Sequence, residues 1–265
     1  MSVLQTIIVK YAIKQVDKMT ELNKKQFISK LNSVFSENGL SSLLTLEKSE
    51  KFFTLTEFML SENEKYNLTA ITEPDKIILN HYADCAALAA HIKPNSSLID
   101  IGCGAGFPTL PLALLRDDIT ILAIDSTEKR IRYVAAAAEL LGLENVKAVA
   151  MRAEVGGQSP EYREKFDYAT ARAVAEMRIL AELALPFVKV GGRLIAMKGK
   201  NAENELSAAK RAIAMLGGRG ARLESVTLKA SGLEPLTHPL ITVEKQEKTP
   251  KGYPRAFAQI SKKPL

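Results

Sequence analysis

The apolar positions of this chain change rhythm near residue 96. Before it they recur at i, i+3 and i+4, the period of a helix with one buried face. The spacing predicts helices over Val3–Lys18, where Leu4, Ile7, Ile8 and Tyr11 form the stripe, and over Lys24–Glu37, Leu40–Glu47 and Lys51–Tyr66. A further helix is predicted over Asp75–His91, with Pro74 near its start, where a missing N–H costs little. Beyond residue 96, short apolar runs at 96–102, 119–125, 144–150, 166–173 and 191–199 read as strands. Pro108–Arg116, Thr127–Leu141, Glu176–Val188 and Asn201–Leu216 read as helices, and two more strands are expected at Arg222–Leu228 and Arg255–Ile260. Strands alternating with helices build a mostly parallel sheet covered on both faces, an α/β fold. The expected organisation is a helical region, 1–75, ahead of a sheet-bearing domain, 76–265, with no internal repeat.

Composition narrows the class. No apolar run approaches the ~18–20 residues of a membrane span. The apolar start is broken by Lys10 and Lys14 and lacks a cleavage pattern, so no signal peptide is read there. The two cysteines, Cys85 and Cys103, form no CxxC pair, which points to a reducing compartment, the cytosol. His81, His91 and His238 show no metal-ligand spacing, and no metal is expected. The net charge of +6 is concentrated: residues 245–265 carry 6 Lys/Arg against 1 Glu. Such a segment reads either as a solvated terminus or as a phosphate-contacting arm. Lys251, Arg255, Lys262 and Lys263 are its candidate RNA contacts, with Tyr253 available to stack on a base or to pack on the domain.

The sharpest motif, Asp100-Ile101-Gly102-Cys103-Gly104-Ala105-Gly106-Phe107-Pro108, joins the first strand to the first helix of the sheet. In an open α/β sheet, ligands bind beyond such strand ends. A dinucleotide fingerprint needs glycine at 107, which is Phe, and Pro108 removes an N–H that a pyrophosphate would use. Asp125, ending the second strand, is placed to accept both hydroxyls of a ribose. An acid before the loop and an acid after the next strand suit S-adenosylmethionine (AdoMet), which carries a nucleoside and an amino acid but no phosphate. NAD or FAD, or a glycine turn holding no ligand, are the competing readings.

The stretch from Asn67 through Gly199 resembles the RsmG (GidB) family of bacterial 16S rRNA guanine-N7 methyltransferases. The resemblance is carried by NLTAIT (67–72), HYADC (81–85), DIGCGAGFP (100–108), DSTEKRIRYV (125–134), MRAE (151–154), FDYATARAVA (166–175) and GGRLIAMKG (191–199), with KTPKGYPR (248–255) and KKPL (262–265) after them. It implies a class I AdoMet-dependent methyltransferase fold, Rossmann-like, with a seven-stranded, mostly parallel sheet. It also implies a substrate, one guanine in the decoding-region hairpin of 16S rRNA, met as rRNA, as an assembly intermediate or in the small ribosomal subunit. No membrane or DNA partner is expected.

Carried over by position, the family's AdoMet contacts fall on Gly102 and Phe107 of the loop, on Ala153 and Glu154 flanking the adenine, and on Arg172. Gly104 of the same loop and Asp125 complete the candidate set. The chain departs from the family pattern at Glu62-Asn63, where Trp-Asn is usual, at Thr109 in place of glycine, and at Ala258-Gln259-Ile260 in place of Gly-Thr-Pro.

Guanine N7 has an in-plane lone pair and no proton, so methylation there needs positioning and no general base. Arg172 is the candidate positioning residue, at the rim where donor and acceptor meet; its structural alternative is a salt bridge to Glu154 or Asp167. As a site residue, its replacement by Ala should cut turnover far more than stability. Lys198 divides between phosphate contact and surface solvation. Arg130 and Arg132, two apart on one helix, should point to different sides. Cys103 reads as a small packing residue, against the rival reading of a nucleophile of pyrimidine-C5 chemistry. Two further functions compete: methylation of a small molecule or protein, and a non-catalytic RNA-binding or assembly factor.

Overall fold

The computed structural model describes residues 21–265; the helix expected over Val3–Lys18 lies outside the described residues. Helix α1 (Glu21–Glu37) and helix α2 (Leu46–Tyr66) follow the helical stripe. The helix expected over Leu40–Glu47 is instead a single 3-10 turn, Ser41–Leu43. Thr45 starts α2 anew, its side chain accepting from the Lys48 N–H and satisfying a donor that the helix cannot. Asn67 ends α2 in the left-handed region, with φ 48°. Stretch α3 (74–91) is helical throughout but changes pitch, with a π-helical segment at Ile78–Ala83 followed by the regular turns Asp84–Leu88.

The sheet runs in the order β3-β2-β1-β4-β5-β7-β6. Its strands are β1 (Ser97–Ile101), β2 (Thr120–Asp125), β3 (Val146–Ala150), β4 (Phe166–Arg172), β5 (Val188–Met197), β6 (Gly218–Leu228) and β7 (Leu236–Lys245). The first five pair in parallel, while β7 is antiparallel to both β5 and β6. The intervening helices are α4 (Thr109–Leu115), α5 (Glu128–Leu141), α6 (Ala153–Gly156), α7 (Met177–Ala184) and α8 (Ala202–Met215), with α9 (Phe257–Lys262) after β7.

The seventh strand is therefore Leu236–Lys245 and not Arg255–Ile260, whose last residues open α9. Pro239 obscures the strand in the sequence, since proline interrupts ladders. It is tolerated because it lies one residue beyond Leu240, the last residue paired with β5. Leu240, Ile241 and Val243 are buried, which makes this the central hairpin strand rather than an edge.

The two faces of the sheet are covered by different helices. On one, Phe35, Phe52, Phe58 and Tyr82 of the N-terminal helices share a hydrophobic cluster with Leu110, Tyr133 and Val134 of α4 and α5. Phe58 stacks on Tyr133 with centroids 5.5 Å apart. On the other, Ile99, Ile101 and Ile124 pack under Met177, Leu180 and Ala184 of α7 and Ala209 and Ile213 of α8. No helix among the described residues is long and apolar enough to cross a membrane.

Candidate functional site

The glycine loop lies at the carboxyl end of β1, where the chain must turn from strand to helix within a few residues. Gly102, Gly104 and Gly106 all take positive φ, 68°, 55° and 84°. At Gly106 a Cβ would sit 2.5 Å from Leu110 Cδ1, and at Gly102 it would meet Val174 Cγ2 at 2.9 Å. At Gly106, against the buried Leu110, space as well as backbone angle demands glycine; at Gly102 the neighbour is the tip of an exposed valine, and the positive φ sets the demand.

Two carboxylates organise the loop. Asp125 Oδ2 accepts from the Gly104 N–H at 3.2 Å and from Arg130 Nη1 at 3.4 Å, while Oδ1 accepts from the Thr127 N–H at 2.8 Å. Asp100 is fully buried. Its Oδ2 accepts from Thr109 Oγ1 at 2.6 Å, whereas Oδ1 has no hydrogen-bond partner among the described residues. Burial pushes the Asp100 carboxyl up to about 7. Thr109, a departure from the family pattern, thus anchors the acid that precedes the loop.

Beyond these strand ends opens a cavity of about 520 Å³. Gly102, Asp125, Ala153 and Glu154 line it together. Gly104 joins them through its bond to Asp125. Met151, Val174, Ile179, Leu183 and Phe257 also form its wall, and sequence reasoning did not find them; Phe257 arrives from the C-terminal segment, 150 residues after Phe107, with no local signal. Arg130 lines the cavity and is half exposed, whereas Arg132 turns toward Glu128, 3.8 Å away.

Phe107 and Arg172 stand apart from this wall, in a buried cluster with α3 and β7. Arg172 Nη1 donates to the Asn80 carbonyl at 3.1 Å and pairs with Asp84 Oδ2 at 3.3 Å. Its salt-bridge partner is Asp84, and not Glu154 or Asp167: Glu154 lies 3.7 Å from Arg152, and Asp167 binds Ser97 and Lys189. The guanidinium lies 5.0 Å over the Phe107 ring, and His81 stacks on the same ring at 4.3 Å. Burial, then Arg172, pushes His81 down to about 3, so the ring is neutral. Its Nδ1 lies 3.0 Å from Arg172 Nη2 and 3.1 Å from the Asn80 carbonyl, and its Nε2 lies 3.1 Å from Thr69 Oγ1. His238 Nδ1 completes the cluster, 2.5 Å from Asp84 Oδ1.

Two of the expected RNA contacts are committed elsewhere. Lys198 is buried, its Nζ 2.6 Å from Glu205 Oε2 and 2.6 Å from the Ala175 carbonyl; it is neither a phosphate contact nor a solvated lysine. Arg255 forks onto the buried carboxylate of Glu182. Lys251, Lys262 and Lys263 remain exposed. Lys245, first of the basic segment, is buried against Glu164, the Leu185 carbonyl and Thr249, and burial lowers it to about 8. Cys103 is buried in the loop, and burial pushes its thiol well up, away from the reactive thiolate. Among the described residues no group of three His, Cys, Asp or Glu is placed to hold a metal ion.

The chain is similar to known proteins over most of its length. The model of the GidB family, described as rRNA small subunit methyltransferase G, matches residues 48–233. The ribosomal RNA small subunit methyltransferase G of Clostridium perfringens strain 13 is 43% identical over 221 residues, 83% of this chain and 91% of that protein. Its counterpart in Leuconostoc mesenteroides is 42% identical over 248 residues, 92% of this chain and 100% of that one. Among solved structures, a SAM-dependent O-methyltransferase from Thermotoga maritima superposes at a TM-score of 0.49 with 14% identity, covering 72% of this chain and 73% of its own. The seven-stranded sheet with one antiparallel strand is the class I methyltransferase fold that the resemblance implied. With matching blocks spread over most of its length, the chain belongs to the GidB family, rRNA small subunit methyltransferase G.

Proposed function

We infer that this chain transfers a methyl group from AdoMet to N7 of a guanine in the decoding-region hairpin of 16S rRNA. It acts in the cytoplasm, on the small ribosomal subunit or an assembly intermediate of it. The observation that carries this reading is the acid-lined cavity at the glycine loop of a chain belonging to this family.

The residues present fit AdoMet better than a dinucleotide. Phe107 fills the position of the third fingerprint glycine and is 5% exposed. Asp125, at the end of β2, suits the ribose hydroxyls that both ligands carry, so the discrimination rests on Phe107 and on Pro108, which offers no N–H to a pyrophosphate. An unpartnered, fully buried carboxylate oxygen such as Asp100 Oδ1 is costly, and a donor brought by a ligand would relieve it. Gly102 and Gly104 would leave room for the ligand's approach, Asp125 would hold the ribose, and Ala153 and Glu154 would flank the adenine.

When bound, AdoMet supplies an electrophilic methyl carbon on a sulfonium. The protein's work is positioning, because N7 carries a free lone pair and no proton to remove. Arg172 serves this as a positioning residue: it holds Phe107, and with it the loop, against α3. The region before residue 76 and the exposed lysines of the C-terminal segment are assigned to RNA placement.

The test is the methylation status of 16S rRNA from cells with and without this protein, read by chain cleavage at N7-methylguanine. Loss of one modified guanine on deletion, restored by the wild-type chain, is expected. An unchanged pattern in the deletion strain would overturn the assignment.

A further inference from the structure

One wall of the cavity is supplied by a residue that neither the loop motif nor the family's implied contacts name. Phe257, the first residue of α9, lines the cavity together with Ile179 and Leu183 of α7, and 42% of its surface is exposed. A large apolar ring left open on a cavity wall is surface that a ligand would remove from water. Val174, also lining the cavity, is exposed at 37%. Phe257 and Val174 thus both leave apolar surface open at this cavity.

The backbone around Phe257 is fixed in place. Two residues earlier, Arg255 Nε and Nη2 donate to the two oxygens of Glu182 at 2.8 and 2.6 Å, and the Arg255 N–H reaches the same carboxylate at 2.9 Å. Glu182 is 0% exposed, on α7. Gln158 Nε2 donates to the Pro254 carbonyl at 2.8 Å and Arg163 Nη1 to the Tyr253 carbonyl at 2.7 Å. Three residues after Phe257, Ile260 is fully buried. A planar, bidentate guanidinium pair resists rotation as a lysine contact does not.

The chemistry of the wall chooses the ligand part. Gly102, Asp125, Ser126 and Arg130 supply polar wall, while Met151, Ala153, Ile179, Leu183 and Phe257 supply apolar surface, with the charged Arg152, Glu154 and Glu176 beside it. Ribose and amino acid belong with the first, which leaves the purine for the second, where an aromatic ring can meet its face.

We propose that Phe257 is an adenine-contacting residue of the AdoMet site, and that the Arg255–Glu182 pair makes the C-terminal segment a wall of that site. The proposal rests on the reading of this cavity as the AdoMet pocket. The basic segment then acts in two ways, one of its cations holding a cofactor wall while its exposed lysines remain free for phosphate.

The test is titration calorimetry of the full chain with AdoMet and with S-adenosylhomocysteine. Phe257→Ala should weaken both ligands roughly three- to tenfold, and Phe257→Tyr should restore most of the loss. Arg255→Lys, which keeps the charge but not the fork, should weaken both in the same direction with the ring intact. Unchanged affinity in Phe257→Ala, beside a wild type that binds, would overturn the inference alone. A wild type that binds neither ligand would overturn the AdoMet reading and this inference with it. If Phe257→Ala loses affinity for a decoding-region RNA hairpin but not for AdoMet, the ring belongs to RNA and the inference falls.

Discussion

Arg172, the last residue of β4, forms a buried ion pair with Asp84 of α3, Nη1 to Oδ2 at 3.3 Å, and Asp84 is bound on its other oxygen by His238 of β7. One carboxylate thus ties the sheet's fourth and seventh strands to the helix in front of the loop. The side chains are 16% and 3% exposed, so neither charge can turn to water if its partner is removed.

Asp84→Asn should therefore destabilise the protein by about 3 kcal/mol, the usual cost of stranding a buried charge. Arg172→Ala should lose stability as well as turnover, which revises the sequence-based expectation that stability would be spared. Chemical denaturation of the two variants and the double variant checks this. If the pair is coupled, the double variant will lose less than the sum of the singles.

Asp100 sets a pH dependence. Its folded pKa, about 7, lies above the ordinary 3.8, so the folded state holds a proton that the unfolded state releases between those values. Stability attached to this group is full below about pH 4 and is lost as pH rises toward 7. Asp100→Asn stays neutral and should flatten the fall in stability between pH 4 and 7, measured by denaturant midpoints. The same variant should weaken AdoMet binding at pH 8, where the native carboxylate is charged.

Glycine substitutions should separate by space. Gly106→Ala faces Leu110 at 2.5 Å with φ 84° and should cost about 2–3 kcal/mol, with loss of AdoMet binding. Gly104→Ala also has positive φ, 55°, but its nearest neighbour is a carbonyl oxygen 3.9 Å away. It should cost only about 1 kcal/mol, the angular penalty alone. Equal thermal losses would refute the steric account.

Lys262→Glu and Lys263→Glu should weaken binding of 16S rRNA hairpins and lower the salt slope by roughly one unit per lysine. Lys198→Met should leave the salt slope unchanged, since Lys198 is paired to Glu205 inside the fold. Filter binding at several salt concentrations distinguishes the two.

Local information was enough for most of the frame. Apolar periodicity located the first six strands, and the spacing of glycines and acids in 100–108 and at Asp125 pointed to a nucleoside ligand without phosphate, because loop geometry and acid placement are properties of short segments. The seventh strand, Leu236–Lys245, was hidden by Pro239, whose cost depends on where the neighbouring strand ends. The fates of Lys198, Arg255 and Arg172 were equally hidden, since a charge looks the same in sequence whether it faces solvent or a buried carboxylate 73 residues away, as Arg255 faces Glu182. Residue order alone determined the α/β class, the loop and its chemistry. Only the tertiary structure decided which cations are spent inside the fold and which distant ring, Phe257, reaches the cavity, because long-range pairing depends on chain packing and leaves no local pattern.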